Sequence, residues 1–293
     1  MNIYTDSLTP VKGVILDVGG PLRDSSAGMN FTHRMAFELS ELDDYALDNF
    51  GSWQLFAIPS DEGNRYEAYM RRALALYRAG MQPMEFFDSQ DPRGEIDNLV
   101  SEYVSEADEA LVANMAAMSE TMFNKSSRAQ GLTRASDGAV EGIRTLYEYD
   151  IDLGVVTSAE TEGTIKWIDD YIGRPDDEGL YVPEPFVMGK DSSVSDAKSP
   201  KSEKILKICE EMGLTPEEVM YIGDTTKDIQ EARDAGVQSG QVLNGMGLPS
   251  LWEDNMPDYE FEDLAEASRF ITDPWNTPEY QAFAREHGIE RPK

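Results

Sequence analysis

The sequence predicts an α/β protein: a Rossmann-like parallel sheet flanked by helices, with an all-helical domain inserted into it. Three observations predict it. Short runs rich in β-branched and other apolar residues recur at 11–16, 151–156 and 219–222, each ending in a polar tip. The second and third are followed by helical spacing, which makes βαβ units and a parallel sheet with helices on both faces. Residues 25–136 carry no such run and are spaced as helices instead.

Taken in order, residues 11–16 read as a buried strand closing at Asp17, with Gly19-Gly20-Pro21 as a tight turn. In the inserted stretch, Tyr66, Met70, Ala73 and Tyr77 share a helical face, as do Leu99 and Tyr103, and Leu111, Met115, Met118 and Met122. These Met and aromatic stripes read as helix–helix core. The run at 151–156 ends in Thr157-Ser158, and Ile165, Ile168 and Ile172 then mark one helix face. Residues 185–188 form a weak strand, and 189–200 a surface loop of serines alternating with Asp and Lys. Thr215-Pro216-Glu217-Glu218 is a capping box with proline at the first helical position. The run at 219–222 ends in Gly223-Asp224, and the helix that follows stops at Gly236, a residue suited to that place. Short strands are expected at 238–243 and 259–261. The expected organisation is an α/β core from 1–24 and 137–273, a helical cap at 25–136 and a polar C-terminal appendage at 274–293.

Lys and Arg total 25 against 56 Asp and Glu, a formal net charge of −31 spread over the whole length. Such a surface repels nucleic acid and anionic membranes, and it reads as adaptation to high salt, where screening removes self-repulsion. One cysteine, Cys209, excludes an internal disulfide and falls on an apolar helical face, so it reads as core. The two histidines cannot build a His-rich metal site. The chain shows neither a basic leader before an apolar run nor a stretch of ~18 apolar residues, so a cytoplasmic protein is expected.

In sheets of this kind ligands bind at the carboxyl ends of the strands, where Asp17, Thr157 and Asp224 lie. Four elements occur in order: Val14-Ile15-Leu16-Asp17-Val18-Gly19-Gly20-Pro21-Leu22; Val155-Val156-Thr157-Ser158; Lys198 before a helix-start signature at Ser199-Pro200; and Tyr221-Ile222-Gly223-Asp224-Thr225-Thr226-Lys227-Asp228. Together they resemble the haloacid-dehalogenase-like (HAD) hydrolase superfamily, over residues 11–24 and 137–265. The position of the insertion matches its helical-cap branch. The resemblance implies a Mg²⁺-dependent hydrolase, a phosphatase of small phosphorylated metabolites, with Asp17 as the nucleophile that forms an aspartyl-phosphate. It implies a metal site from Asp17, the Gly19 carbonyl, Asp224 and Asp228. It implies phosphate binding by Thr157 (hydroxyl and backbone N–H), Ser158, Gly20 and Lys198, with Lys190 and Lys201 as rival lysines in the same loop.

The chemistry is consistent with that set, because phosphoryl transfer needs charge neutralisation more than covalent help from the protein. A carboxylate and a phosphate repel, so a hard cation with oxygen ligands has to lie between them. One position departs from the family's Asp-x-Asp-Gly-Thr pattern. The first motif here is the degenerate Asp-x-Gly-Gly form, with Gly19 where the proton-transferring aspartate usually stands and Pro21 in place of threonine. Loss of a general acid typically costs ~10²–10⁴ in rate; Asp24 and His33 are the substitutes to consider, and Arg23 and Arg34 are candidates to meet a substrate anion. The retained Asp224 and Asp228 speak against metal-free dehalogenation. The alternative from another class is a catalytically impaired phosphate-ligand-binding or regulatory protein of the same fold.

Overall fold

The computed structural model describes residues 1–4, 9–42, 55, 65–87, 89, 91–175, 179–192, 200–246 and 255–289. The chain divides into two compact units: residues 1–23, 135–245 and 254–293 make one, and residues 24–134 and 246–253 the other.

The first unit is built on one sheet of seven strands among the described residues. They are β1 (Asn2–Ile3), β2 (Gly13–Leu16), β3 (Asp152–Val156), β4 (Val187–Met188), β5 (Val219–Gly223), β6 (Gln238–Val242) and β7 (Tyr259–Phe261). The spatial order is β1-β7-β6-β5-β2-β3-β4; β1 runs antiparallel to β7 and every other pair is parallel. The central strand β2 is buried along its whole length. Val14 and Leu16 enter one core cluster, with Ile143, Ile168 and Leu264, while Ile15 enters another on the opposite face, with Ile205, Ile208 and Cys209. Burial on both faces explains why the strand reads as an unbroken apolar run, not an alternating one. Each such side chain contributes about 1.5–3 kcal/mol of transfer free energy.

Register places the site. Leu16 is paired with both Val155 and Ile222, so the three strands end at one level and the residues just beyond them, Asp17, Thr157 and Asp224, emerge on one edge. Helices Thr161–Tyr171 and Thr226–Ala235 follow β3 and β5, as their periodicity predicts. The box at Thr215 forms both of its reciprocal bonds, around the 3₁₀ turn Pro216–Glu218. The predicted strand at 185–188 is shorter than expected, because Glu184–Phe186 is a 3₁₀ turn. Cys209 is buried, as expected, and burial pushes its thiol up to about 11. The segment read as a polar appendage contains helix Pro278–Glu286, and its Tyr280 and Ala284 are buried in the core cluster.

The second unit is helical: Ser26–Leu39, Arg65–Ala79, Pro92–Tyr103 and Glu109–Lys125 are its long helices among the described residues. Phe37, Tyr69, Met70, Leu74, Val112 and Met115 form its core, with Met118 and Met122 packed against it, so the methionine stripe is core. Arg71 bonds Glu109 and Arg78 bonds Asp108, tying the second helix to the start of the fourth. No described helix is long and apolar enough to cross a membrane.

Candidate active site

Asp17 leaves β2 with its N–H donating to the Ile222 carbonyl at 2.9 Å, which holds the residue against the neighbouring strand. Two glycines shape the turn and the pocket of Asp224. Gly20 has a φ of +79°, and a Cβ there would overlap the Asp224 carboxyl; a Cβ at Gly245 would do the same. The backbone at both positions thus packs directly against a carboxylate that is 0% exposed. Ser136 steadies the turn by donating its hydroxyl to the Gly20 carbonyl at 2.6 Å.

Asp228 comes from the first turn of the helix after β5. It is the N3 member of a capping box: Oδ2 accepts from the Thr225 N–H at 3.1 Å and the Thr225 hydroxyl at 2.6 Å. Its other oxygen accepts from Lys201 at 2.8 Å and from the Tyr221 hydroxyl at 3.0 Å. One carboxylate therefore both caps a helix and faces the site. Burial alone would raise its pKa, but the Lys201 charge and these hydrogen bonds outweigh burial and hold it at about 2. Asp17 is raised: burial opposes its charge more strongly than Lys201 supports it. Lys201 is raised despite its burial, because the charges of Asp17 and Asp228 flank it.

Oxygen atoms of Asp17, Asp224 and Asp228 all lie within 4.8 Å of one another, an acidic group that could hold a divalent ion. The Lys201 ammonium stands 3.1 Å from Asp17 Oδ2. Lys198 lies outside the described residues. Among the described residues, the lysine that meets the carboxylates is Lys201, the first residue of helix Lys201–Met212, whose N-cap is Pro200. The proline was the available signal: the helix begins after it, so the residue following it is the one presented by the first turn.

Thr157 is buried. Its N–H donates to the Met188 carbonyl at 3.0 Å, so that group is taken up by the sheet, while its hydroxyl accepts from the Ala159 N–H at 3.2 Å and keeps its own proton to donate. The Gly20 N–H likewise donates within its turn, to the Arg23 carbonyl at 3.2 Å. Ser158 is exposed, and with Thr157, Lys201, Lys204 and Lys227 it lines an open cavity of about 610 Å³. In so acidic a chain, the cavity gathers four lysines, Lys190, Lys201, Lys204 and Lys227, against the three acids Glu160, Asp191 and Glu231.

The substitute proton donors do not fit that role. Asp24 accepts from the Ser26 N–H and hydroxyl and from Arg134; burial works the other way, but these bonds win and keep its carboxyl below the usual range, hence ionised. His33 is buried inside the helical unit, stacked on Tyr69 at 3.8 Å, and burial pushes its pKa down to about 3. Neither holds a proton ready for transfer at neutral pH. Arg34 pairs with Glu38 on its own helix, and the Arg23 guanidinium lies 6.0 Å from the Trp167 ring centroid.

Comparison with known proteins identifies the family. Phosphoglycolate phosphatase of Shigella boydii is 23% identical over 268 residues, 90% of this chain and 92% of that protein. The N-acetylmuramic acid 6-phosphate phosphatase of Pseudomonas aeruginosa is 32% identical over 74 residues, 25% of this chain and 31% of its own. Among solved structures, a HAD family hydrolase from Deinococcus radiodurans R1, with bound phosphate and sodium, superposes with a TM-score of 0.57 at 18% identity, covering 97% of this chain and 99% of that one, which shows a shared fold. The family model for haloacid dehalogenase-like hydrolases matches residues 11–236, the span that carries Asp17, Thr157, Lys201, Asp224 and Asp228. The chain therefore belongs to the haloacid dehalogenase-like hydrolase family.

Proposed function

We propose that this hydrolase is a Mg²⁺-dependent phosphatase of small phosphorylated metabolites, acting through an aspartyl-phosphate on Asp17. The observation that carries the reading is the convergence of Asp17, Asp224 and Asp228 within 4.8 Å, with the Lys201 ammonium 3.1 Å from Asp17. The donor set suits the ion. Carboxylate oxygens are hard ligands, and Lys201 offsets one of three negative charges, leaving a balance that a divalent cation matches. Asp17, the Gly19 carbonyl and Asp224 would hold the ion; Asp228, whose two oxygens already accept four hydrogen bonds, would hold its water. When bound, Mg²⁺ supplies the charge neutralisation that lets a phosphate approach a carboxylate.

A carboxylate oxygen of Asp17 attacks phosphorus, the bond to the leaving alcohol breaks, and its electron pair departs with the alkoxide. Lys201 neutralises the phosphate oxygens, in the role expected of Lys198, and the Thr157 hydroxyl and Ser158 hydrogen-bond them. Water then attacks the phosphorus of the acyl phosphate and frees inorganic phosphate and the Asp17 carboxylate. The proton that water sheds balances the one the alkoxide takes. Relatives named for phosphoglycolate and N-acetylmuramic acid 6-phosphate support a small phosphate ester as substrate. The helical unit at 24–134, inserted after β2, supports the helical-cap branch. The net charge of −31 supports a partner that is neither nucleic acid nor membrane, and a cytoplasmic, high-salt setting.

The test is a panel of phosphorylated metabolites assayed with Mg²⁺ or with chelator, at low and molar salt. Asp17→Asn should remove turnover while the protein stays folded; a substantial retained fraction would rule out the covalent mechanism. Gly19 favours the second reading, a phosphate-ligand-binding or regulatory protein. That reading gains if no phosphate ester or acyl phosphate turns over while Mg²⁺ and phosphate both bind.

A further inference from the structure

We infer that Tyr221 is a positioning residue for the proposed phosphoryl transfer: its hydroxyl fixes the Lys201 ammonium against Asp17. The inference rests on the role proposed for Lys201. Tyr221 lies in β5, paired with Ile15 of β2, and its side chain enters the cluster formed by Ile15, Ile205, Ile208 and Ala232. It is 1% exposed. A phenylalanine would fill that space equally well, and a hydroxyl buried there is costly unless it is hydrogen-bonded. Both functions of this hydroxyl are used. It donates to Asp228 Oδ1 at 3.0 Å, and its oxygen accepts from Lys201 Nζ at 3.0 Å.

An ammonium has three protons to place. For Lys201 they point to Asp17 Oδ2 at 3.1 Å, Asp228 Oδ1 at 2.8 Å and Tyr221 Oη at 3.0 Å. A lysine head on a flexible four-carbon stem is thereby held by three contacts, of which only the tyrosine is neutral. Without it, the ammonium is left to two carboxylates and swings between them. The backbone end of the stem is anchored separately. The Glu231 carboxylate, from helix Thr226–Ala235, accepts the Ser202 N–H at 2.7 Å, at the first turn of the helix that Lys201 opens. Glu231 thus sets the root of the side chain, and Tyr221 sets its tip.

The experiment compares wild type, Tyr221→Phe, Lys201→Ala and the double variant. Turnover of p-nitrophenyl phosphate with Mg²⁺ is measured at enzyme concentrations high enough to detect residual rates, together with melting temperature and the affinity for inorganic phosphate. Tyr221→Phe should lower kcat/KM by about 10- to 100-fold, the range for a hydrogen bond to a charged group. It should also weaken phosphate binding, with the melting temperature shifted by a few degrees at most. In the Lys201→Ala background the same substitution should have no further effect, because the tyrosine acts through the lysine. A fall of equal size in both backgrounds, or loss of the fold in Tyr221→Phe, would overturn the proposal and leave Tyr221 a structural residue. Turnover within about twofold of wild type in Tyr221→Phe, beside a large loss in Lys201→Ala, would overturn the proposal alone. Unchanged turnover and phosphate affinity in Lys201→Ala would overturn the role of the lysine and this inference with it.

Discussion

Replacing Gly19 with aspartate restores a carboxyl at the position where most family phosphatases carry their general acid, and the structure allows its effect to be worked out. A Cβ at Gly19 meets nothing closer than Asp17 Oδ2, at 4.0 Å, and the residue is not among the glycines with positive φ. The substitution is therefore sterically open, in contrast to Gly20, where a Cβ runs into Asp224. The new carboxyl would stand beside Asp17, whose Oδ2 lies 4.0 Å from the added Cβ. At an effective dielectric of 20, two like charges about 5 Å apart repel by about 3 kcal/mol, which the Lys201 ammonium 3.1 Å from Asp17 Oδ2 offsets in part. Before any cation binds, that repulsion pushes the new carboxyl's pKa up, in the direction a general acid near neutral pH requires. Turnover of alkyl phosphates, whose leaving groups need a proton, should rise by up to ~10²–10⁴, and p-nitrophenyl phosphate turnover should change far less. The assay is kcat/KM for one alkyl and one aryl ester in both variants, with folding checked by thermal melting. Equal gains on both esters would refute the reasoning. So would a wild-type enzyme that already cleaves both at similar rates, since another group would then supply the proton.

Asp224→Asn should weaken Mg²⁺ binding and turnover together, and an unchanged Mg²⁺ titration would mean that the ion is held elsewhere. His33 titrates at about 3 in the folded protein and at about 6.5 unfolded, so the unfolded chain binds the extra proton between those values. Its contribution to stability is therefore complete above about pH 6.5 and is lost as pH falls toward 3, by about 2 kcal/mol at pH 5. His33→Phe, which keeps the stack on Tyr69, should flatten stability between pH 7 and 5; an acid limb as steep as wild type would contradict the buried neutral imidazole. With a net charge of −31, the melting temperature should rise from dilute buffer to molar KCl, and a flat or falling curve would reject the high-salt reading.

How much was legible in the sequence depended on the range of the interaction. Strand and helix identities followed from local patterns: the runs at 11–16, 151–156 and 219–222 became β2, β3 and β5 because side chains buried on both faces must all be apolar. Once those strands were parallel and in register, Asp17, Thr157 and Asp224 had to share an edge. The two-residue strand β1 had no such signal, being too short for any period to show. The packing of 274–289 depended on Tyr280 and Ala284 finding the core, which a mainly polar segment does not announce.

The sequence by itself determined the acidic cluster, because a carboxylate is carried on a short side chain from a strand end or first helical turn and lands where its backbone puts it. Only the tertiary structure decided which lysine meets it, that Tyr221 completes the lysine's contacts, that the Thr157 N–H belongs to the sheet, and that His33 and Asp24 hold no transferable proton. A lysine head sits four carbons from its backbone, and a hydroxyl or imidazole takes its protonation and partners from whatever surrounds it. Those surroundings, here β5 and helix Thr226–Ala235 for Lys201 and the helical core for His33, come from residues distant in sequence and exist only once the chain is folded.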